Sequence, residues 1–145
     1  MIGAIFAKMS VQAGMEALNR RHVSGFMTGW AEDAVWIYPG ELSVSGRFEG
    51  KKAIKDWFEN LMEQFPQLKF TVHSVSVSNL FALTGNNEAA VHWTVSLTNK
   101  NGHHLEYSGV TTLKIRKGKV VQGCDFLFAV DEHVRRGWGE IKPTA

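Results

Sequence analysis

The chain has a single cysteine, Cys124, which excludes an intrachain disulfide framework and a cysteine metal cluster. No run approaches the roughly 18 apolar residues of a membrane span, so no membrane association is expected. The N-terminal MIGAIFAKMS has no basic residue ahead of its apolar ones and no cleavage pattern. It is therefore not expected to be a secretion signal, and the cytoplasm is the expected location. A basic surface is missing too. Net charge is +2, and Arg20-Arg21, Lys51-Lys52, Arg116-Lys117-Lys119 and Arg135-Arg136 lie in separate segments. A nucleic-acid binder concentrates such residues, so no nucleic-acid partner is expected. Histidines at metal-ligand spacing are absent: His103 and His104 diverge beside a hairpin tip, and His22, His73, His92 and His133 show no pairing. No metal and no cofactor are expected.

What is present is an ordinary globular composition, 44% apolar and 21% charged, in 145 residues without a linker, low-complexity tract or repeat. That is the size of one domain with a real core. Residues 1–145 are expected to form it, with the core over roughly 10–130 and a C-terminal tail.

Helical spacing comes first. Val11, Met15 and Leu18, then Val23, Phe26, Met27 and Trp30, recur at that period, with Arg20, Arg21 and His22 interrupting the stripe. Gly25 and Gly29 each weaken the second piece by about 1 kcal/mol relative to Ala. Two helices meeting near His22 are expected. Trp30 to Gly50 then reads as a helix end, an acidic turn, a short strand Val35–Tyr38, a Pro-Gly break and a looped return. In that strand Trp36 and Tyr38 share one face. Lys51–Phe65 is the clearest helix, with Ile54, Trp57, Phe58, Leu61, Met62 and Phe65 on one side and Pro66 at its end. Four strands follow. The first changes parity near His73-Ser74, which implies a bulge. Val91, Trp93, Val95 and Leu97 share a face of the second; Asn99-Lys100-Asn101-Gly102 is a hairpin connection. Leu105, Tyr107, Thr111, Leu113 and Ile115 share a face of the third, and Lys117-Gly118 turns into a last strand near Val120–Phe128. Helices first and strands later predict a segregated α+β domain.

"AEDAVWIYPG", "GRFEGKKAIKDWF", "EAAVHWTVSL" and "GKVVQGCDF", in this order and spacing, resemble the SnoaL-like polyketide-cyclase branch of the nuclear-transport-factor/ketosteroid-isomerase superfamily. The resemblance runs from about Ala13 to Ala129. It implies a cone: a curved mixed or antiparallel sheet covered by helices around a hollow for a small, apolar molecule. It also implies dimerisation through the outer sheet face, and Cys124, Phe126 and Phe128, with His92, are the outward residues for it. Ketosteroid isomerases place their base where this chain has Tyr38, their acidic oxyanion donor at Thr111 and their donor tyrosine near Gly14; all three groups are missing. In the epoxide-hydrolase relatives one aspartate matches Asp125. The positions for the arginine and second aspartate fall at Trp93 and Val95, or at Thr94 and Ser96, none of them charged. The single acid/base aspartate of the cyclases falls on Asp125.

That orientation makes Asp125 and Tyr38 the expected catalytic residues, with Asp125 as acid/base and Tyr38 orienting a carbonyl. Trp36, Trp57, Phe70, Trp93, Val95, Tyr107, Thr111 and Leu127 are the expected ligand-binding wall. A carboxyl among aromatics loses hydration, and its pKa rises unless donors compensate. The alternative for Asp125 is a buried strut tied to Tyr38, Tyr107 or Thr111. The tail after Asp131 is expected to form a short helix, with Trp138 closing a pocket mouth or a neighbouring subunit's edge. Three functions stay open at this point: an isomerase, cyclase or hydratase; a non-catalytic hydrophobic-ligand module; and a dimerising adaptor.

Overall fold

A computed structural model describes residues 2–129 and 131–140. The first helix, α1 (Ile2–Asn19), is followed by a break and a short α2 (Val23–Met27). The break falls at His22, as the interrupted stripe predicts. Arg21 takes a left-handed backbone (φ 61°), and its guanidinium donates to the carbonyls of Met62, Phe65 and Pro66. The Met62 and Phe65 carbonyls are orphans at the end of α3 (Lys51–Gln64), so the charged interruption caps a helix far away in sequence. Gly25 is required here, because a Cβ would stand 2.6 Å from the His22 ring.

Trp30 is not helical. It opens β1 (Trp30–Tyr38), which runs through the expected acidic turn. The chain leaves α2 at Thr28-Gly29, and Gly29 O accepts from Val120 N, drawing the next residues beside β6 (Lys119–Leu127). A register irregularity between Trp30 and Val35 absorbs Ala31-Glu32-Asp33. The looped return also contains a strand, β2 (Gly46–Glu49), paired antiparallel to β1 with Trp36 opposite Phe48.

With β3 (Gln67–Val77), β4 (Asn87–Thr98) and β5 (His104–Arg116), these form a six-stranded curved sheet in the order β2-β1-β6-β5-β4-β3. β1 and β6 are parallel and the other neighbours antiparallel. The bulge expected near His73-Ser74 is there, as a register shift between Val72 and Ser74. The helices cover one face, and α3 buries Ile54, Trp57, Phe58, Leu61 and Met62 against it. At the free edge of β3 Asn19 replaces a neighbouring strand: its Nδ2 donates to Phe70 O (2.9 Å), and Phe70 N donates to its Oδ1 (2.7 Å).

The expected tail helix is α4 (Asp131–Gly137); residues 141–145 lie outside the described residues. Gln64 Nε2 and Asn99 Nδ2 both donate to Gly137 O, at 2.9 and 3.0 Å. Trp138 is thereby driven into the interior, edge-on to Phe65 and beside Tyr38 and Trp57. It plugs one end of the cone.

Candidate functional site

The other end of the cone is hollow. A cavity of about 670 Å³ lies between α1, α2, α3 and the sheet, within the size range of small-molecule sites. α1 contributes Phe6, Val11, Met15 and Leu18; α2 and α3 contribute Phe26 and Phe58; the sheet contributes Trp30, Trp36, Val91, Leu113, Ile115 and Val120. Gly123 makes the aromatic side possible, since a Cβ there would sit 2.9 Å from Trp30 and 3.0 Å from Trp36.

Asp125 stands in this lining, 8% exposed. Its register partner on β5 is Thr111, which puts two short polar side chains side by side on the inward face. Trp93 Nε1 donates to Thr111 Oγ1 at 2.8 Å, and Thr111 Oγ1 donates to Asp125 Oδ1 at 2.5 Å. Direction follows from the chemistry: an indole N–H only donates, so Thr111 accepts there and spends its one proton on the carboxyl. Oδ1 is engaged, and Oδ2 has no hydrogen-bond partner among the described residues. Burial pushes the Asp125 carboxyl from 3.8 up to about 7, with the Thr111 hydrogen bond pulling the other way.

Of the expected site residues, Trp36, Phe70, Thr111 and Asp125 line the cavity together. Trp93 stands behind them, holding Thr111 and meeting Phe70 edge-on at 5.4 Å. Tyr38, Trp57, Val95, Tyr107 and Leu127 are absent from the lining. Trp57 points its N–H at Val44 O (2.9 Å) and packs on Tyr38 with ring centres 4.8 Å apart. Tyr38 is enclosed by Trp57 and Trp138, and a long 3.5 Å contact from Trp138 Nε1 reaches its hydroxyl. Desolvation raises the Tyr38 phenol to about 12 and the Tyr107 phenol well above 10, so both keep their protons. The plug at Trp138 explains this partition: it fills the end of the cone where Tyr38 and Tyr107 sit. Trp138 does not close the 670 Å³ cavity: it is not in the lining, whose solvent-exposed residues come from α1, Thr28-Gly29, residues 83–86 and Gly118-Lys119.

Residues of the lining that sequence reasoning missed come mainly from the first half of α1 and from the segment around residue 85. Ile2, Phe6, Ala82 and Leu83 have no motif, and only the apolar character of MIGAIF and of Leu80–Leu83 signalled them; nothing signalled Lys119. Trp36 Nε1 is buried with no hydrogen-bond partner, and its ring packs near Trp57 and Phe58. Among the described residues no cluster of three or more His, Cys, Asp or Glu is placed to hold a metal ion. No helix there is long and apolar enough to cross a membrane.

The fold is shared with many solved structures. An NTF2-like protein of unknown function from Burkholderia pseudomallei K96243 superposes with TM-score 0.77 at 18% identity, covering 90% of this chain and 95% of that one. A Bacillus subtilis protein named as a candidate isomerase gives TM-score 0.77 at 19% identity, covering 97% and 98%. TerC, crystallised with polyporic acid, gives 0.71 at 17% identity, covering 92% and 97%. Among curated proteins there is no significant sequence match. The SnoaL-like domain model matches residues 11–123, from the middle of α1 to the centre of β6. With that match over most of its length and the cone of the nuclear-transport-factor-like and ketosteroid-isomerase-like proteins, the chain belongs to the SnoaL-like domain family.

Proposed function

We propose that the protein is a cofactor-independent enzyme acting on an apolar, carbonyl-bearing small molecule, with Asp125 as the proton-transfer group. One observation carries this reading: a lone carboxyl, poised near neutrality at about 7, sits in the wall of an apolar cavity. Near pH 7 both of its forms are populated, as a group that takes a proton from carbon and returns it elsewhere requires. Thr111 fixes Oδ1 and leaves Oδ2 for the substrate. Enolisation of a carbonyl substrate needs such a proton-transfer group, and Trp36, whose N–H has no partner, belongs to the same lining. Tyr38, enclosed by Trp57 and Trp138, supports the cone end next to the site rather than touching the substrate.

The test is α-proton exchange in D2O, followed by NMR over a panel of enolisable aryl ketones. The wild type should accelerate exchange for the ketones that bind. Asp125→Asn should bind them and lose the acceleration, by about 100-fold or more. Equal exchange rates in the two proteins would sink the proposal. A non-catalytic binding module remains the competing reading, favoured by the lack of a second ionisable group beside Asp125 in the lining. It predicts binding without exchange in either protein.

A homodimer through the outer face of the sheet is part of the proposal. Phe126 and Phe128 are 52% and 64% exposed at the end of β6, with His92 beside Phe128. A monomer at micromolar concentration in sedimentation would reject it. A cytoplasmic location fits the free thiol of Cys124.

A further inference from the structure

Two ionisable side chains are found among the residues lining the cavity: Asp125 in the wall and Lys119 at the mouth. They stand on the same strand, separated by at most roughly 20 Å at 3.3 Å per residue. Lys119 has no ion-pair partner among the described residues. Its Nζ donates to Thr28 O at 2.7 Å, which ties the ammonium to another lining residue and leaves two of its three N–H groups unspent. Asn86 lies on the same rim. Its Oδ1 accepts from Lys117 N at 2.9 Å, so its amide NH2 is the end that remains to donate. The rim thus offers unspent donors and a cation. Along the paired strands between Lys119 and Asp125 the lining is Val120, Ile115 and Leu113.

We infer that the mouth is a subsite for an anionic oxygen group, so the substrate is an amphipathic anion. Its charged end is held by Lys119 and Asn86, and its apolar body lies over Asp125. This rests on the cavity being the substrate site. It adds a chemical class to the substrate: an apolar acid enters charge-last, the ammonium stays in contact with water, and no bare charge has to cross the apolar wall.

The experiment uses two fluorescent probes that differ by one sulfonate group, 1-anilinonaphthalene-8-sulfonate and N-phenyl-1-naphthylamine. The full chain should bind the sulfonate about three- to tenfold more tightly than the neutral amine, as expected for a charge-assisted contact partly exposed to water. Lys119→Met should remove that preference by weakening the sulfonate relative to the neutral probe. About 1 M salt should shrink the preference in the wild type. Val91→Phe, which pushes a ring into the cavity, should weaken both probes; retained thermal unfolding would show that it still folds.

An unchanged sulfonate preference in Lys119→Met would overturn the inference. So would equal losses for both probes, or probe binding indifferent to Val91→Phe. Asp125→Asn should keep the probe preference, so failure of the proton-transfer reading shows as missing ketone exchange with charge selection intact. Failure of the subsite shows as the reverse.

Discussion

The most direct consequence of a carboxyl raised to about 7 is that Asp125 should make the protein less stable as pH rises. In the unfolded chain an aspartate titrates near 3.8, and in the folded protein this one titrates near 7. Between those values the folded state holds a proton that the unfolded chain has released. More protons bound to the native state means that the free energy of unfolding falls with rising pH across that window. Below it both states are protonated, and above it both are ionised, so the effect is flat on either side. About three units of difference at 1.36 kcal/mol each give a loss of about 4 kcal/mol between roughly pH 4 and pH 7. This is a large share of a small domain's total stability.

Asp125→Asn removes the titration and keeps an acceptor for Thr111. Equilibrium urea unfolding of both proteins across that range isolates the term, because every other group titrates alike in the two and cancels in the difference. The wild type should match or exceed the variant at the acid end. It should fall below it by a few kcal/mol at and above neutrality. A difference that stays constant with pH would mean that the carboxyl titrates as it does in water, and both the burial argument and the acid/base role would go with it.

Other consequences are local. Thr111→Val strands the Trp93 N–H and should cost about 1–3 kcal/mol; it should also move the Asp125 titration above about 7, read by carboxyl NMR, since the lost hydrogen bond favours the ionised form. Gly109→Ala places a Cβ 2.7 Å from both the Trp93 ring and Phe126 O, so a destabilisation of about 1–3 kcal/mol is expected in thermal melts. Trp138→Ala empties the plug among Phe65, Trp57 and Tyr38. It should cost about 3–5 kcal/mol by denaturant unfolding, and a smaller loss would mean that the end of the cone collapses easily.

The period of the apolar residues made α3 and β3 to β6 legible, including the parity change that becomes the bulge at Val72/Ser74. Where period failed, a long-range contact had decided the structure. Trp30 sits at helical spacing from Phe26 and Met27, and it does join the same core, but from a strand aligned by β6. β2 is too short to carry a period of its own and exists by pairing with β1. At the site, Asp125 and Thr111 were legible because alternation fixes which strand residues point inward. The cavity wall was not: inward direction is local, whereas emptiness depends on what packs opposite. Tyr38 and Trp36 share a face, yet one is sealed by Trp138 and the other borders open space.

That contrast explains why the hollow lies where it does. Six strands curl around more interior than one amphipathic helix can fill, and the remaining helices divide the work unequally. At the end near Leu105 and Gly137, two amide side chains hold the last turn of α4 and commit the large indole of Trp138 inward. At the other end the buried residues in the first two turns of α1 are small, Gly3, Ala4 and Ala7, with Ile5 and Met9 turned outward, and the larger lining residues Val11, Met15 and Leu18 follow further along. Small residues over a wide sheet leave volume, and close packing cannot recover it without strain in α1. Asp125 and Thr111 lie at the boundary between the filled and the open halves. An acid one layer further toward Trp138 would be a sealed strut, and one nearer Lys119 would be wetted; at this layer it is both desolvated and in the wall of the cavity.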